Sequence, residues 1–388
     1  MNWQHLDALV RNDPAGRGLA SYRDAGGRAL SSDLEAAACD LAETATRVLL
    51  VTGFAIVTPD GVRAETDGPP GAIFLAGMLR ACDVEVDIAT DAPAAPLVLA
   101  GLRVASISNP QLADVALIEL PASFDLDHRD AILAAGYSHL VAIERVGPNH
   151  TRDSIAAQEV ADAESRLVEF EALVAEEDQD TCRNMRGDNI DEHTAPLHLL
   201  FEHAEEFGEE LDEDEAADEE EFEDEFEEDS DDEGGPEITA DADAADELSI
   251  EKDDEEVAEN FAPTTIGIAD GGNEIGCGGI PWSELGRAVT RGPAELTACR
   301  IATDHLILAG ISNWGAYGLA AAVAALNGRG AALVAWPREL ESQIIQSMVA
   351  DAGAVDGTTK RNEPTIDGVS LESYLDLFDE IRRVCLDS

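Results

Sequence analysis

Lysine is almost absent from this 388-residue chain: Lys252 and Lys360 stand against 22 arginines. Basic charge is scarce altogether, with 24 Lys+Arg facing 82 Asp+Glu and a formal net charge of -58. Neutralising phosphates takes clustered cations, so a nucleic-acid partner is all but excluded, and an anionic membrane surface is disfavoured on the same ground. No apolar run approaches the roughly 20 residues that cross a bilayer; the stretch 319–326 is too short. Residues 1–5 have neither a basic nor an apolar signal region, which predicts no signal peptide and a cytoplasmic protein. Paired cysteines are missing too. The nearest two of the six, Cys277 and Cys299, lie 22 positions apart, so reduced thiols are expected and no metal or redox pair is spelled out. Nor do the histidines offer ligand spacing, since His193, His198 and His203 do not share a helical face.

What is abundant is acid, and it is unevenly spread. Residues 202–260 hold 33 acids and one base, too little apolar surface to offset chain entropy. The stretch 201–260 therefore reads as an acidic disordered insertion. It divides one catalytic α/β domain into a first part, 1–200, and a second part, 261–388; two domains joined by a linker are the alternative. The remainder still carries -26, and with much alanine and almost no lysine it suits molar salt, where that charge is screened. At 45% hydrophobic residues it can build a large core.

Short apolar runs at 47–53, 84–89, 115–120, 140–144, 266–269 and 305–308 predict buried parallel strands. Helical periodicity lies between several of them, at 71–82, 127–135, 314–326 and 339–352, with a closing amphipathic helix at 371–384. The first 45 residues also read as helical. This alternation predicts a Rossmann-like, three-layer α/β fold with a mostly parallel sheet.

In such sheets ligands sit beyond the carboxyl ends of the strands, so the loops there are the candidates. Glu65, Thr66, Asp67 and Gly68 lead into a helix, where carboxylates, a hydroxyl and glycine can hold a polar ligand or a cation; a capped turn with Asp67 as N-cap is the plainer reading. Glu144 and Arg145 leave another strand as a charged pair. Arg186, in Asn-Met-Arg-Gly (184–187), suits bidentate recognition of a carboxylate. Asp270-Gly-Gly-Asn-Glu-Ile-Gly (270–276) matches neither a Walker A loop nor G-x-G-x-x-G. Its backbone N–H groups near Gly272 and Gly276 predict an anion-binding nest, with Asp270, Asn273 and Glu274 beside it. Cys277 has no histidine assigned as partner, which argues against a nucleophile. Ser312, Asn313 and Trp314 open a further helix and can seat a small substrate, the indole walling off water.

Taken together, Glu-Thr-Asp-Gly-Pro-Pro-Gly-Ala (65–72), Ile-Glu-Arg (143–145), Met-Arg-Gly (185–187), Asp-Gly-Gly-Asn-Glu-Ile-Gly (270–276) and Ser-Asn-Trp-Gly-Ala-Tyr (312–317) resemble the D-glutamate cyclase family. Two features depart from its pattern: the acidic insertion, and Cys277 where the family has Met. The resemblance implies a lyase that converts D-glutamate to 5-oxo-D-proline with loss of water in a Rossmann-like domain. Its partner would be a small amino dicarboxylic acid, with a divalent cation (Mg or Mn) as candidate cofactor and a homo-oligomer left open. On the chemistry of that reaction, Arg145 and Arg186 suit the carboxylate anchor, Asp67, Asp270 and Glu274 the acid/base work, and the loop N–H groups the oxyanion. Two other readings remain at this point: a metal-dependent hydrolase or lyase acting on another small acid, and a non-catalytic binding protein.

Overall fold

The computed structural model describes residues 1–158, 163–202 and 262–387. The predicted insertion thus lies outside the described residues, apart from Phe201 and Glu202. Six strands form one sheet: β1 (Arg47–Thr52), β4 (Glu85–Asp91), β5 (Ala116–Leu120), β6 (His139–Ile143), β7 (Thr264–Ala269) and β8 (His305–Leu308). β2 (Ala55–Thr58) and β3 (Gly61–Ala64) make a separate hairpin. The sheet order is β5-β4-β1-β6-β7-β8, every pairing is parallel, and helices flank it. Apolar, β-branched runs explain the central strands. Val48, Leu49, Leu50 and Val51 are buried on both faces of β1, as a parallel strand covered by helices requires. β6 and β7 are neighbours, so chain from either side of the acidic stretch meets in the same sheet.

Two helices decide where the site lies. One, Pro69–Ala81, follows the hairpin; the other, Ser312–Leu326, follows β8. Both are built of small and apolar residues and are buried through most of their length, so they reach each other closely. A Cβ on Gly71 would stand 2.8 Å from the Ala316 Cβ and 2.9 Å from Asn313 Oδ1; only glycine admits this contact. Behind them an aromatic cluster sets the core, with Phe74 edge-on to Tyr317 and Trp336 at 5.2 Å each.

One local expectation changes, and two elements appear that the sequence reading did not name. The first 45 residues hold only the helices Trp3–Val10 and Leu34–Thr44; Pro14 and the glycines between them yield turns and an Arg23–Ala29 bridge instead. Asp60-Gly61 makes the β2–β3 turn, a hairpin that the polar loop reading passed over. Helix Ala95–Ser108 was hidden in an unbroken apolar stretch. Among the described residues, no helix is long and apolar enough to cross a membrane.

Candidate active site

The observed strand order is the doubly wound one, whose crevice opens where the order reverses, between β1 and β6. Four loops deliver polar side chains there: Glu65–Asp67 after the hairpin, Glu144 after β6, Asp270–Glu274 after β7, and Ser312–Asn313 after β8. All of these named residues are buried. Gly68 makes the convergence possible. Its φ is +93°, and a Cβ would stand 2.7 Å from Thr52 Oγ1 and 2.9 Å from the Glu144 Cβ.

The two helix N-termini cap one another. Asp67 accepts from the backbone N–H groups of Ser312 (3.0 Å) and Asn313 (2.8 Å), at the start of the second helix. Asn313 Oδ1 accepts from Gly68 N (3.0 Å) and Gly71 N (2.8 Å), at the start of the first. Both positive helix ends therefore point at the same acidic cluster, which each stabilises. Asp67, for which capping its own helix was the plainer reading, caps its neighbour's instead.

Around this crossing, Glu65, Asp67, Glu144, Asp270, Glu274 and Asp367 are all buried, with Arg17 the cation among them. Arg17 donates to Asp270 (3.1 Å) and pairs with Asp367 through both terminal nitrogens (2.7 and 2.5 Å). Burial alone would push its guanidinium down; the charges of Asp270 and Asp367 outweigh that and keep it protonated. Burial, and then neighbouring acids, raise Glu65, Asp67 and Glu144 well above the usual carboxylate range. Asp270 is raised by burial against the pull of Arg17. Glu274 is raised by burial, but backbone N–H bonds oppose the shift. Glu144 also has a positive φ of 47°, a strained setting for glutamate of the kind that concentrates at functional sites.

Such a cluster holds protons that an unfolded chain would release. Raised folded-state values mean that the native state binds more protons, so stability falls as pH climbs from the unfolded carboxylate range through the folded values. We expect the melting temperature at fixed high salt to drop between mildly acidic and alkaline buffer. A profile that instead rises with pH would contradict these shifts. Oxygens of Asp67, Glu144 and Asp270 lie within 4.8 Å of one another, so this buried triad could hold a metal ion. Asp270 Oδ1 has no hydrogen-bond partner among the described residues, and carboxylates outnumber the buried cation, so the donor set fits a hard divalent ion.

A pocket of about 280 Å³ opens above the cluster. Glu65, Glu144, Asn273 and Glu274 line its polar side, Phe54 and Ile56 its apolar wall, and Arg186, Arg291 and Lys360 bring positive charge. Arg17 reaches the same space.

The expected site residues divide by this geometry. Glu65, Asn273 and Glu274 come together at the pocket beside Glu144, and Arg186 joins them from its loop, donating to Thr358 O (3.3 Å). Asp67, Asp270, Ser312 and Asn313 support that cluster from beneath, Ser312 Oγ donating to Glu144 at 2.6 Å. Thr66 is turned away and donates to Thr365 O (2.8 Å). The nest of the glycine loop is filled from within: Gly271 N and Gly272 N donate to Glu274 itself, at 3.1 and 2.7 Å, while Gly276 N donates to Ile301 O. Those N–H groups are therefore spent. Arg145 is buried and bound to Asp91 (2.7 Å), Gly53 O and Ala195 O, away from the pocket. Trp314 stacks on Tyr374 in the core, centroids 5.7 Å apart. Cys277 is buried, and burial pushes its thiol well up, which removes it as a nucleophile.

Sequence reasoning gave no role to Arg17, Asp367, Arg291, Lys360 or Glu144. Glu144 stood in plain view beside Arg145, and the pair divides sharply: the acid faces the pocket while the base is locked in the wall. Arg17 sits between Gly16 and Gly18, both at positive φ, a local sign of a shaped loop.

Comparison with known proteins gives the chain a family. The profile of the family described as "D-glutamate cyclase-like, C-terminal" matches residues 6–167 and 239–382. The chain is also 24% identical over 327 residues to the Homo sapiens protein "D-glutamate cyclase, mitochondrial", which covers 82% of this chain. It spans only 38% of that relative's length. Matched over most of its length, the chain belongs to the D-glutamate cyclase-like, C-terminal family.

Proposed function

We propose that the chain is a lyase that closes D-glutamate to 5-oxo-D-proline with loss of water. One observation carries the reading. In a chain of charge -58, one pocket gathers Arg186, Arg291 and one of the two lysines against floor carboxylates. An amino dicarboxylic acid is complementary to that division, its carboxylates toward the cations and its ammonium toward Glu65 and Glu144.

The reaction is proton-neutral. The ammonium loses two protons, the amine nitrogen bonds to the γ-carboxyl carbon, and a carboxyl oxygen departs with both protons as water. What the site must do is hold the folded conformer and carry protons from nitrogen to the leaving oxygen. Pre-organised ring closure removes much of the barrier, by analogy with effective molarities of ~10⁵ M and above. Glu144 is assigned the proton transfer, because it lines the pocket and burial, with the neighbouring acids, raises its affinity for a proton well above that of an ordinary glutamate. Ser312 Oγ fixes its carboxyl group, and Glu274, oriented by two backbone N–H groups, supplies the second carboxylate. Asp67, Glu144 and Asp270 would hold Mg or Mn; bound there, the ion would supply Lewis-acid polarisation of a carboxyl oxygen.

D-Aspartate, one methylene shorter, tests the reading. It presents the same charges but would close to a strained four-membered ring, so it should inhibit competitively without turning over. Conversion of D-aspartate, or no competition, would count against the assignment. The assay belongs in molar salt, since -26 remains outside residues 202–260. Arg291→Gln should raise KM about tenfold with kcat spared, the worth of one charged contact. A fall in kcat at constant KM would move Arg291 from binding to chemistry.

A further inference from the structure

Of the three acids that line the pocket, two already have donors. Glu144 accepts from Ser312 Oγ, and Glu274 from the backbone N–H groups of Gly271 and Gly272. Glu65 is buried too, yet among the described residues no hydrogen bond or ion pair reaches its carboxyl group. Burying a polar group without a partner is costly, so this one is built for a donor that arrives from the pocket. Backbone holds it in place. Gly357 lines the same pocket, and a Cβ there would overlap Glu65 Oε2 and stand 3.1 Å from its Cδ. Gly357 is not at positive φ, so space rather than conformation calls for glycine. The chain on either side is pinned. Val355 N donates to Ala64 O (3.1 Å) and Thr66 N to Val355 O (2.9 Å), while buried Asp356 accepts from Thr359 N and Gly368 N at 2.7 Å each.

We propose that Glu65 is the residue that selects for the substrate's amine, and that Gly357 is its positioning residue, the strap 355–360 passing close enough to hold the carboxyl group toward the pocket. The identity of the substrate here rests on the ring-closure reading. Arg186, Arg291 and Lys360 bring positive charge for carboxylates, which any dicarboxylic acid offers. Discrimination therefore falls to the group that meets the nitrogen. A carboxyl group accepts a hydrogen bond in either protonation state, and an ammonium donates three. A diacid without the nitrogen leaves Glu65 unpartnered, which is how a site built to bond an N–H rejects the analogue that lacks it. Glu144 and Glu274 keep their donors in both cases and discriminate less.

D-Aspartate and succinate share both carboxylates and differ in the amine, and they report on binding without ring closure. Calorimetry on the full-length protein in molar salt with Mg should show D-aspartate binding about ten- to a hundredfold tighter, the worth of one hydrogen bond to a charged group. Glu65→Met should remove that preference by weakening D-aspartate while sparing succinate. Gly357→Ala should do the same, because the pinned strap cannot yield and the carboxyl group must swing aside. In Gly357→Ala with Glu65→Asp the shorter acid clears the added methyl, so part of the preference should return, and with it the fold if Gly357→Ala alone is unstable. A Gly357→Ala variant that weakens both acids equally, as a merely filled pocket would, or that changes neither, overturns the proposal. A double variant that recovers nothing does so as well. Wild-type protein that binds the two acids alike overturns the proposal and leaves ring closure standing; protein that binds neither overturns both.

Discussion

Glu144→Gln is expected to lower the turnover of D-glutamate by ~10²–10⁴-fold, the usual contribution of a positioned acid/base group. Glutamine has the same size, and its oxygen can still accept from Ser312 Oγ, so the contact at 2.6 Å survives. What disappears is the ability to take and return a proton, together with one of the three carboxylates that would hold Mg or Mn. The fold should not suffer, because the change removes one charge from a buried group of like charges that raise one another's proton affinity. An unchanged or raised melting temperature is therefore expected alongside the lost rate. The residue's positive φ is a backbone property that both side chains share, so it does not confound the comparison. If the variant turned over like the wild type, the proton work would pass to Glu65 or Glu274, the other acids lining the pocket.

Arg17→Met should be the most damaging single change to stability, at about 3–5 kcal/mol, the cost of leaving a buried charge without its partner. Two acids would be stranded, since Arg17 joins Asp270 to Asp367 through the interior. Methionine keeps much of the volume, which isolates charge from packing. The loss should be pH-dependent in a definite sense. Without the guanidinium, Asp270 would be raised further, so the variant should be least stable in alkaline buffer and recover on acidification, as the native state takes up protons. Arg17→Lys should recover only part, because an ammonium cannot reach Asp367 with two nitrogens while also serving Asp270. Denaturant midpoints in molar salt measure all three; an Arg17→Met midpoint equal to wild type would remove the pair from the ledger of the fold.

How much of this was legible in the sequence follows from range. The central strands were visible because a strand buried on both faces needs an unbroken apolar run, and β1 and β6 have one; the edge strand β5 is largely exposed and was marked by its apolar residues alone. Loops carrying Glu65, Asn273 and Glu274 were visible because strand ends in such sheets gather ligands, whatever their partners. Direction was not visible. Nothing local says that Glu144 faces the pocket while Arg145 turns to Asp91, or that Asp67 caps a helix 245 positions away. The glycine loop looked like an empty nest because Glu274 fills it from three residues on, a contact that only a folded turn makes. Arg17, Arg291 and Lys360 were missed for the same reason: each comes from a segment without periodic signal and counts only where the chain brings it to the others.

The central claim is ring closure, and one measurement bears on it most directly. Purified protein in molar salt is incubated with D-glutamate and, separately, L-glutamate, with Mg or Mn present, and 5-oxoproline is resolved by chiral chromatography. The account predicts 5-oxo-D-proline from D-glutamate in amounts far above the protein concentration, and its loss in Glu144→Gln. Stoichiometric binding of D-glutamate with no 5-oxoproline formed would contradict it, and would make the pocket a binding site for a small acid.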